Sequence, residues 1–307
     1  MKKLLRSVLV LALLYLFALT PVRAQMPFDE IMMPKGEVCF AAIYENSRWN
    51  QYWEGSFLRE NANIGTFTRQ MAIPMLAFGL GKKLNLIASL PYVSTQASGG
   101  TQVGQSGLQD LSVSLKADWL KKRLGPGRLL LLNNVHFSVP VGKYLSDYMP
   151  FSIGAGAPEI GLRTITGYKF DNGLILRAAA AYLWRGQTPI ERDYYYQEGS
   201  VYASVMEVPD ALNIHAAIGY WTLDKRLRIE GTFMLLDCLS GDDIRAYNRP
   251  QPTNKMETSQ VGIWTQYYIK GDRGLGAIAY FNHTLSGRNV GKANTIGLGL
   301  TYQFKVY

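Results

Sequence analysis

NTIGLGLTYQFKVY, residues Asn294–Tyr307, is the stretch that decides the fold. Apolar or aromatic residues occupy every second position from Ile296 to Val306, and the positions between them hold small or polar residues. Because successive side chains of a strand point to opposite faces, this pattern predicts a β-strand with one apolar and one polar face. The remaining chain must indicate whether that apolar face meets a protein core or lipid.

The same rhythm recurs along the chain and predicts twelve strands. They lie near Glu37–Asn46, Ile64–Leu80, Lys83–Ser94, Gly107–Leu120, Arg128–Val141, Pro158–Phe170, Gly173–Arg185, Asp210–Thr222, Lys225–Leu239, Glu257–Lys270, Gly274–Ser286 and Asn294–Tyr307. Tight turns rich in Gly, Asn and Asp alternate with six longer polar loops, and both termini fall on the side of the tight turns. This layout predicts an all-β fold: a transmembrane antiparallel β-barrel of about 12 strands, with short periplasmic turns and long extracellular loops.

A secreted β-sandwich is the alternative, since its strands alternate as well. Its strands, however, typically run to about 5–6 residues, and the segments above run to ten or more. Aromatic residues also gather near both ends of the strands, as in the two girdles that flank the apolar band of an outer-membrane barrel. Strand length and the placement of aromatics therefore favour the barrel.

The N-terminal residues predict export. Residues 1–24 combine a basic start, an apolar run and small residues before Gln25, which is typical of a cleaved signal peptide. Residues 25–36 then form a periplasmic N-terminal segment, either irregular or a small plug, and residues 37–307 form the barrel. The location predicted is the bacterial outer membrane.

Charge and cysteine content limit the partners. The signal segment holds four of the 32 basic residues and none of the 23 acidic ones, which leaves 28 against 23, or +5, for the remainder. No basic run is interleaved with aromatics, so no nucleic acid is expected. Cys39 and Cys238 fall on strands far apart in order and are predicted to be unpaired.

Charged residues on the polar faces are the candidate lumen residues. Charges in a narrow lumen must pair or be hydrated, so internal ion pairs and a permeation path would use the same residue types. Internal pairing is the main interpretation, and permeation stays open. The candidates are Arg69, Lys116, Asp118, Glu159, Arg163, Arg177, His215, Arg228 and Glu230.

Two loops carry aromatic clusters that could capture an apolar or planar ligand, because aromatic rings supply rigid area that is easily desolvated. Packing of the loops over the barrel mouth is the equally open alternative. The candidates are Trp49, Tyr52 and Trp53 in the first loop and Tyr194, Tyr195 and Tyr196 in the fourth.

Catalysis and metal binding have weaker support. His136 and Ser138 share a strand face, as the nucleophile and base of a lipid hydrolase would, but Val139 and Pro140 follow the serine in place of the expected Asn-Gly. The three histidines lie on separate strands without paired spacing. We therefore expect no catalytic site, no metal and no cofactor.

Several short segments resemble one bacterial outer-membrane family. They are Ser89–Val93, Gly104–Leu111, Val139–Gly142, Tyr182–Gly186 and Ser286–Gly291. The family is the "putative MetA-pathway of phenol degradation" group, allied to FadL-like hydrophobic-compound channels, here in the form found in Bacteroidetes-type bacteria. The resemblance implies an outer-membrane channel for small hydrophobic or aromatic compounds.

Two further functions remain alternatives to that channel. One is a plugged structural or partner-binding barrel whose extracellular loops are functional, and the other is the lipid hydrolase. The expected partners are outer-membrane lipid or lipopolysaccharide and a small apolar or aromatic ligand.

Overall fold

The computed structural model describes residues 25–60, 62–101, 103–223, 225–245, 249–269 and 274–307. The predicted signal peptide, residues 1–24, lies outside this range. Within the described residues, no helix is long and apolar enough to cross a membrane.

Twelve strands in the described chain form a closed antiparallel barrel, as the sequence predicts. They are β1 Glu37–Trp49, β2 Phe67–Gly79, β3 Leu84–Ser89 continued by Tyr92–Ala97, β4 Ser106–Leu108 continued by Asp110–Leu124, β5 Gly127–Pro140, β6 Glu159–Phe170, β7 Leu174–Arg185, β8 Ala211–Thr222, β9 Leu227–Cys238, β10 Glu257–Tyr268, β11 Gly274–Arg288 and β12 Asn294–Lys305. Each strand pairs with its neighbours in sequence, and β1 pairs with both β2 and β12, which closes the sheet.

The apolar face of the barrel points outward. On β12, Leu298 is 59 % exposed, whereas Thr301 is 1 % exposed and faces the interior. The same inversion is seen on β3, β4 and β9, where Asn85, Lys116 and Arg228 are buried. A soluble sandwich would bury its apolar face, so this arrangement answers the question raised by β12: the apolar face meets lipid.

Two strands are interrupted where the sequence predicts continuous ones. β3 breaks at Leu90–Pro91 and β4 breaks at Gln109, at the same height as Pro74 of β2. Proline has no amide hydrogen and cannot donate to a ladder. The remaining groups pair locally: Leu90 N donates to Pro74 O at 3.3 Å, and Gln109 N donates to Pro91 O at 2.9 Å.

The long loops lie together at one end of the barrel. We call them L1 (residues 50–66), L2 (98–105), L3 (141–158), L4 (186–210), L5 (239–256) and L6 (289–293). L1 holds a ribbon of Gln51–Glu54 with Phe57–Glu60, and L4 holds two further ribbons, Gln187–Pro189 with Val205–Glu207 and Tyr195–Tyr196 with Ser200–Val201.

The two cysteines are free and buried on different strands, Cys39 on β1 and Cys238 on β9. Their unpaired state agrees with the prediction from strand order. The fold therefore does not depend on a disulfide between them.

Candidate functional site

The segment Gln25–Lys35, here called the plug, runs inside the barrel. Its buried residues include Met26, Asp29, Glu30 and Ile31. The plug is rich in apolar side chains, and it brings two carboxylates into a lumen whose wall carries several cations. Both features favour insertion, because the lumen satisfies charges that would otherwise lack partners.

Lys116 of β4 holds the first turn of the plug. Its Nζ donates to Met26 O at 2.9 Å, to Asp29 Oδ1 at 2.7 Å and to Ile31 O at 3.0 Å. Asp29 in turn accepts hydrogen bonds from the backbone N of Met26 and of Ile31. The three ammonium hydrogens are thus all used, and the charge of Lys116 is paired with a carboxylate out of solvent.

Glu30 is the centre of a buried ion cluster. Its Oε2 lies 2.9 Å from Arg177 Nη1 and 2.9 Å from Arg228 Nη2, and its Oε1 lies 3.0 Å from Lys169 Nζ. Glu230 of β9 pairs with both arginines. Burial alone would raise the pKa of Glu30, but Arg228, Lys169 and Arg177 outweigh it and hold that pKa well below the usual range. Glu30 is therefore ionised, and we call its cluster the latch.

An aromatic stack supports the upper face of the plug. Phe28 stacks on His215 of β8 with ring centroids 4.6 Å apart, and it meets the edge of Trp264 at 6.4 Å. Trp264 stacks on Tyr280 at 4.8 Å, and the Tyr280 hydroxyl donates to Glu45. The plug is therefore anchored by ion pairs at Asp29 and Glu30 and by ring stacking at Phe28.

A polar network lies elsewhere on the lumen wall. Glu159 of β6 accepts from Arg185 Nε at 2.7 Å and lies 2.8 Å from His136 Nε2. Arg163 donates to Asn213 at 2.8 Å. Within the described chain, His136 has Glu159 as its hydrogen-bond partner and no bond joins it to Ser138, so no nucleophile and base are paired.

The loops enclose a cavity of about 1440 Å³ at the extracellular mouth, here called the vestibule. Residues of all six loops, L1 to L6, line it, together with Gln109 at the break in β4 and the upper ends of β1 and β2. Seven aromatic side chains contribute: Trp49, Tyr52, Phe67, Tyr148, Tyr194, Tyr195 and Tyr196. Five of the six predicted capture aromatics thus line one cavity. Trp53 does not, since it is buried and its backbone N donates to Val290 O.

L3 folds inward and narrows the base of the vestibule. Phe151 and Ile153 are fully buried, and the Thr95 hydroxyl donates to Phe151 O at 2.6 Å. Arg69 Nη2 donates to Ile153 O at 3.0 Å, and the rings of Phe67 and Phe151 meet edge to face at 5.6 Å. This constriction was not predicted from the sequence.

A second cavity, of about 420 Å³, lies on the side of the tight turns. Glu30, Asp118, Lys169 and Trp221 are among its lining residues, and none of its lining residues also lines the vestibule. The plug contributes Glu30, Ile31 and Met32 to its wall. This second cavity, here called the periplasmic cavity, is therefore distinct from the vestibule, and the plug forms part of its wall.

The nine predicted lumen residues separate by what they contact. Lys116, Arg177 and Arg228 bind the plug, and His215 stacks on it. Glu230 pairs with Arg177 and Arg228. Glu159 and Arg163 hydrogen-bond within the wall, Arg69 lines the vestibule, and Asp118 lines the periplasmic cavity. Asp29, Glu30 and Lys169 were not among the predicted lumen residues. Within the described residues, no group of three or more His, Cys, Asp or Glu side chains could hold a metal ion.

A clasp at the extracellular rim joins L1, L5 and L6. Asp243 of L5 accepts from Arg288 Nε at 2.6 Å and from Arg288 Nη2 at 2.7 Å. Asn289 accepts from Gly55 N and donates to Asp243 Oδ1. The hydrogen bond from Arg288 lowers the pKa of Asp243 from its usual value. A group whose pKa is lowered by folding contributes stability at neutral pH and loses it as pH falls through that lowered pKa.

Asp243→Asn is therefore expected to loosen L5 at neutral pH, whereas the wild-type clasp opens only in acid. Trypsin cleavage after Arg245 should accelerate about two- to five-fold, the scale of a partly exposed ion pair. Glu198→Gln in L4 is the matched control and should leave the cleavage rate unchanged. Equal cleavage rates for Asp243→Asn and the wild type at neutral pH would contradict a closing role for the clasp.

Comparison with known proteins gives one family and a set of solved barrels. A family model described as "Putative MetA-pathway of phenol degradation" matches residues 55–298. An outer membrane channel from Pseudomonas putida is similar in structure, with a TM-score of 0.72, 15% sequence identity, and coverage of 92% of this chain and 100% of that chain. The translocator domain of the autotransporter NalP from Neisseria meningitidis has a TM-score of 0.47 and 14% identity, covering 89% of this chain and 90% of that chain. No curated protein matches in sequence. The first likeness shows the fold of an outer-membrane barrel.

Proposed function

This chain belongs to the family described as "Putative MetA-pathway of phenol degradation", and from that premise we propose that it is an outer-membrane channel for small hydrophobic or aromatic compounds. The apolar outer band rests in outer-membrane lipid, and the long loops face the medium. The ligand enters from the loop side and leaves toward the periplasm.

The observation that carries this proposal is the aromatic vestibule. Its seven rings surround one cavity of about 1440 Å³. Trp49 stacks on Phe67 with centroids 4.9 Å apart, so part of the lining is already ordered before a ligand arrives. Ordered aromatic walls favour apolar and planar ligands, because little conformational entropy is lost on binding.

The plug supports selectivity against hydrophilic solutes. Charged wall groups of the lower lumen, among them Lys116 and Arg177, are paired with the plug instead of lining an open aqueous path. Ions and sugars are therefore expected to cross slowly. The same plug also favours the second candidate function, a closed barrel whose loops bind a partner. A transport measurement distinguishes the channel from the closed barrel.

Transport in proteoliposomes tests the proposal. The refolded chain lacking residues 1–24 should accelerate the entry of naphthalene, a neutral aromatic probe, well above that into protein-free liposomes, with little accelerated entry of arabinose. Rapid entry of both probes would indicate an open porin. If neither probe entered faster than in protein-free liposomes, the channel proposal would fail in favour of the partner-binding barrel.

Trp49→Ala is expected to slow naphthalene entry about two- to tenfold, the scale of one lost aromatic contact. Phe57→Ala is the matched control, because Phe57 lies in L1, the loop that follows Trp49, and is exposed but does not line the vestibule. The two variants are compared in the same proteoliposome assay. Equal entry rates for both would mean that the vestibule rings do not take part in capture.

A further inference from the structure

We propose that the vestibule binds aromatic monocarboxylates, with the carboxylate at Arg69 and the ring on the aromatic shelf around Phe67. This inference rests on the proposed function and narrows its substrate class from apolar aromatics in general to those that carry one negative charge.

Arg69 lies at the base of the vestibule and has an incomplete set of partners. Its guanidinium donates to Ile153 O at 3.0 Å, and its Nε is buried without a hydrogen-bond partner among the described residues. In the described chain no ion pair joins Arg69 to a carboxylate. An arginine with unused donors beside a cavity is suited to a carboxylate, which accepts two parallel hydrogen bonds from a guanidinium.

Two neighbouring carboxylates, those of Glu45 and Asp110, are hydrogen-bonded to tyrosine hydroxyls. Glu45 accepts from the Tyr280 hydroxyl at 2.7 Å, and Asp110 accepts from the Tyr144 hydroxyl at 2.6 Å. Both attract Arg69 electrostatically without touching it. Coulomb attraction grows as the distance between charges falls. A ligand carboxylate in contact with the guanidinium of Arg69 would therefore be attracted to it more strongly than these two more distant carboxylates are.

The other charges of the vestibule leave Arg69 as the anchor. Asp147 and Arg192 form an ion pair at 2.8 Å, so their charges largely cancel. Glu191 and Arg249 are exposed, where water screens them. Arg69 is thus the deep cation of the lining, and the site discriminates ligands by sign of charge.

The aromatic shelf lies next to Arg69 on the same face. Phe67 and Arg69 are two residues apart on β2, so their side chains point to the same side about 7 Å apart along the strand. Phe67 contacts Trp49 and Phe151, and Tyr148 lies against Phe151 at 5.7 Å. A ring on this shelf and a carboxylate at Arg69 require a short spacer, as in 3-phenylpropionate.

Three probes with one skeleton test the proposal. They are 3-phenylpropionate, 3-phenylpropan-1-ol and 3-phenylpropylamine, which share ring and spacer and carry charges of −1, 0 and +1 at neutral pH. Calorimetric titration of the refolded protein should give the order anion, alcohol, amine. The anion should bind about tenfold or more tightly than the alcohol, the scale of a hydrogen bond to a charged group.

Arg69→Met should remove the preference for the anion while alcohol binding changes little. Lys143→Met is the matched control, because Lys143 is an exposed cation of L3 that does not line the vestibule, and it should keep the preference within about twofold. Circular dichroism and heat-dependent migration in gels check that both variants fold. Since the preference is also measured on the wild type, a misfolded Arg69→Met would not remove the test.

Two results would overturn the inference: equal affinity of the wild type for anion and alcohol, or an undiminished preference in folded Arg69→Met. Naphthalene entry, measured in parallel, distinguishes a failure of the carboxylate site from a failure of the proposed channel. If naphthalene enters but the anion binds no more tightly than the alcohol, the channel is supported and the carboxylate site is contradicted. If the anion binds more tightly but naphthalene entry is not accelerated, the carboxylate site is supported and the channel is contradicted.

Discussion

Glu30→Gln is expected to convert a poorly conducting barrel into one with frequent high-conductance openings in planar bilayers. The substitution keeps the shape of the side chain and removes the charge that Lys169, Arg177 and Arg228 share. Removing one partner of a buried ion pair costs about 3–5 kcal/mol, because the remaining charges stay buried without compensation. A loss of about 3 kcal/mol would raise the unseated fraction of the plug by about two orders of magnitude.

Glu60→Gln, an exposed change in L1, is the control and should conduct like the wild type. Lowering the pH is a less effective way to neutralise Glu30 than the substitution, because the three cations keep the pKa of Glu30 well below the usual range. A folded Glu30→Gln barrel with wild-type conductance would contradict the latch. It would mean that Lys116 and the aromatic stack suffice to seat the plug.

Leu298→Lys is expected to destabilise the barrel by about 2–4 kcal/mol in lipid vesicles, the cost of a lysine side chain on the lipid face near the bilayer midplane. Leu298 lies in the middle of β12 and points away from the lumen. Equilibrium unfolding in denaturant, followed by tryptophan fluorescence, measures the change.

Tyr202→Lys serves as the control for that measurement, since Tyr202 is 79% exposed in L4. The free energy of unfolding should change by no more than about 0.5 kcal/mol there, as is usual for surface substitutions. Similar small changes at both positions would mean that the outer face of β12 does not contact the hydrocarbon core.

The barrel could be predicted from sequence because its strands obey a strict two-residue period. In β12 the predicted start at Asn294 agrees with the observed one, and the loop and turn sides were correctly distinguished. The breaks in β3 and β4 were missed, although Pro91 within a strand is a recognisable signal. The two-residue period predicts which face of the sheet a side chain takes. It does not predict whether the backbone N–H and C=O groups of that residue pair with a neighbouring strand.

The site was less predictable. The plug was foreseen only as one of two options, and its partners were not foreseen. One signal was available: the nine lumen candidates hold five Lys or Arg residues against three acidic ones. That excess indicated missing carboxylates, which Asp29 and Glu30 supply. The inward fold of L3 depends on contacts of Phe151 and Ile153 with distant strands, which a local pattern does not encode.

Trp49 and Trp53 also show that a local sequence pattern does not encode tertiary contacts. The two residues lie four apart, Trp49 at the end of β1 and Trp53 in L1, yet Trp49 lines the vestibule and Trp53 is buried beside Gly287. The pairing of Gln51–Glu54 with Phe57–Glu60 forms a ribbon that Trp53 shares and Trp49 does not. The tertiary docking of that ribbon decides which ring meets the cavity.

Hydrogen exchange of the plug amides tests the central claim most directly, because both the proposed selectivity and the latch require residues 25–35 to sit in the lumen. The amides of Met26 and Ile31 donate to Asp29 inside the barrel. We expect them to exchange at least about a hundredfold more slowly than in an unstructured peptide, and faster in Glu30→Gln. Exchange at unstructured-peptide rates in the wild type would mean that the segment hangs free in the periplasm and that the lumen is open.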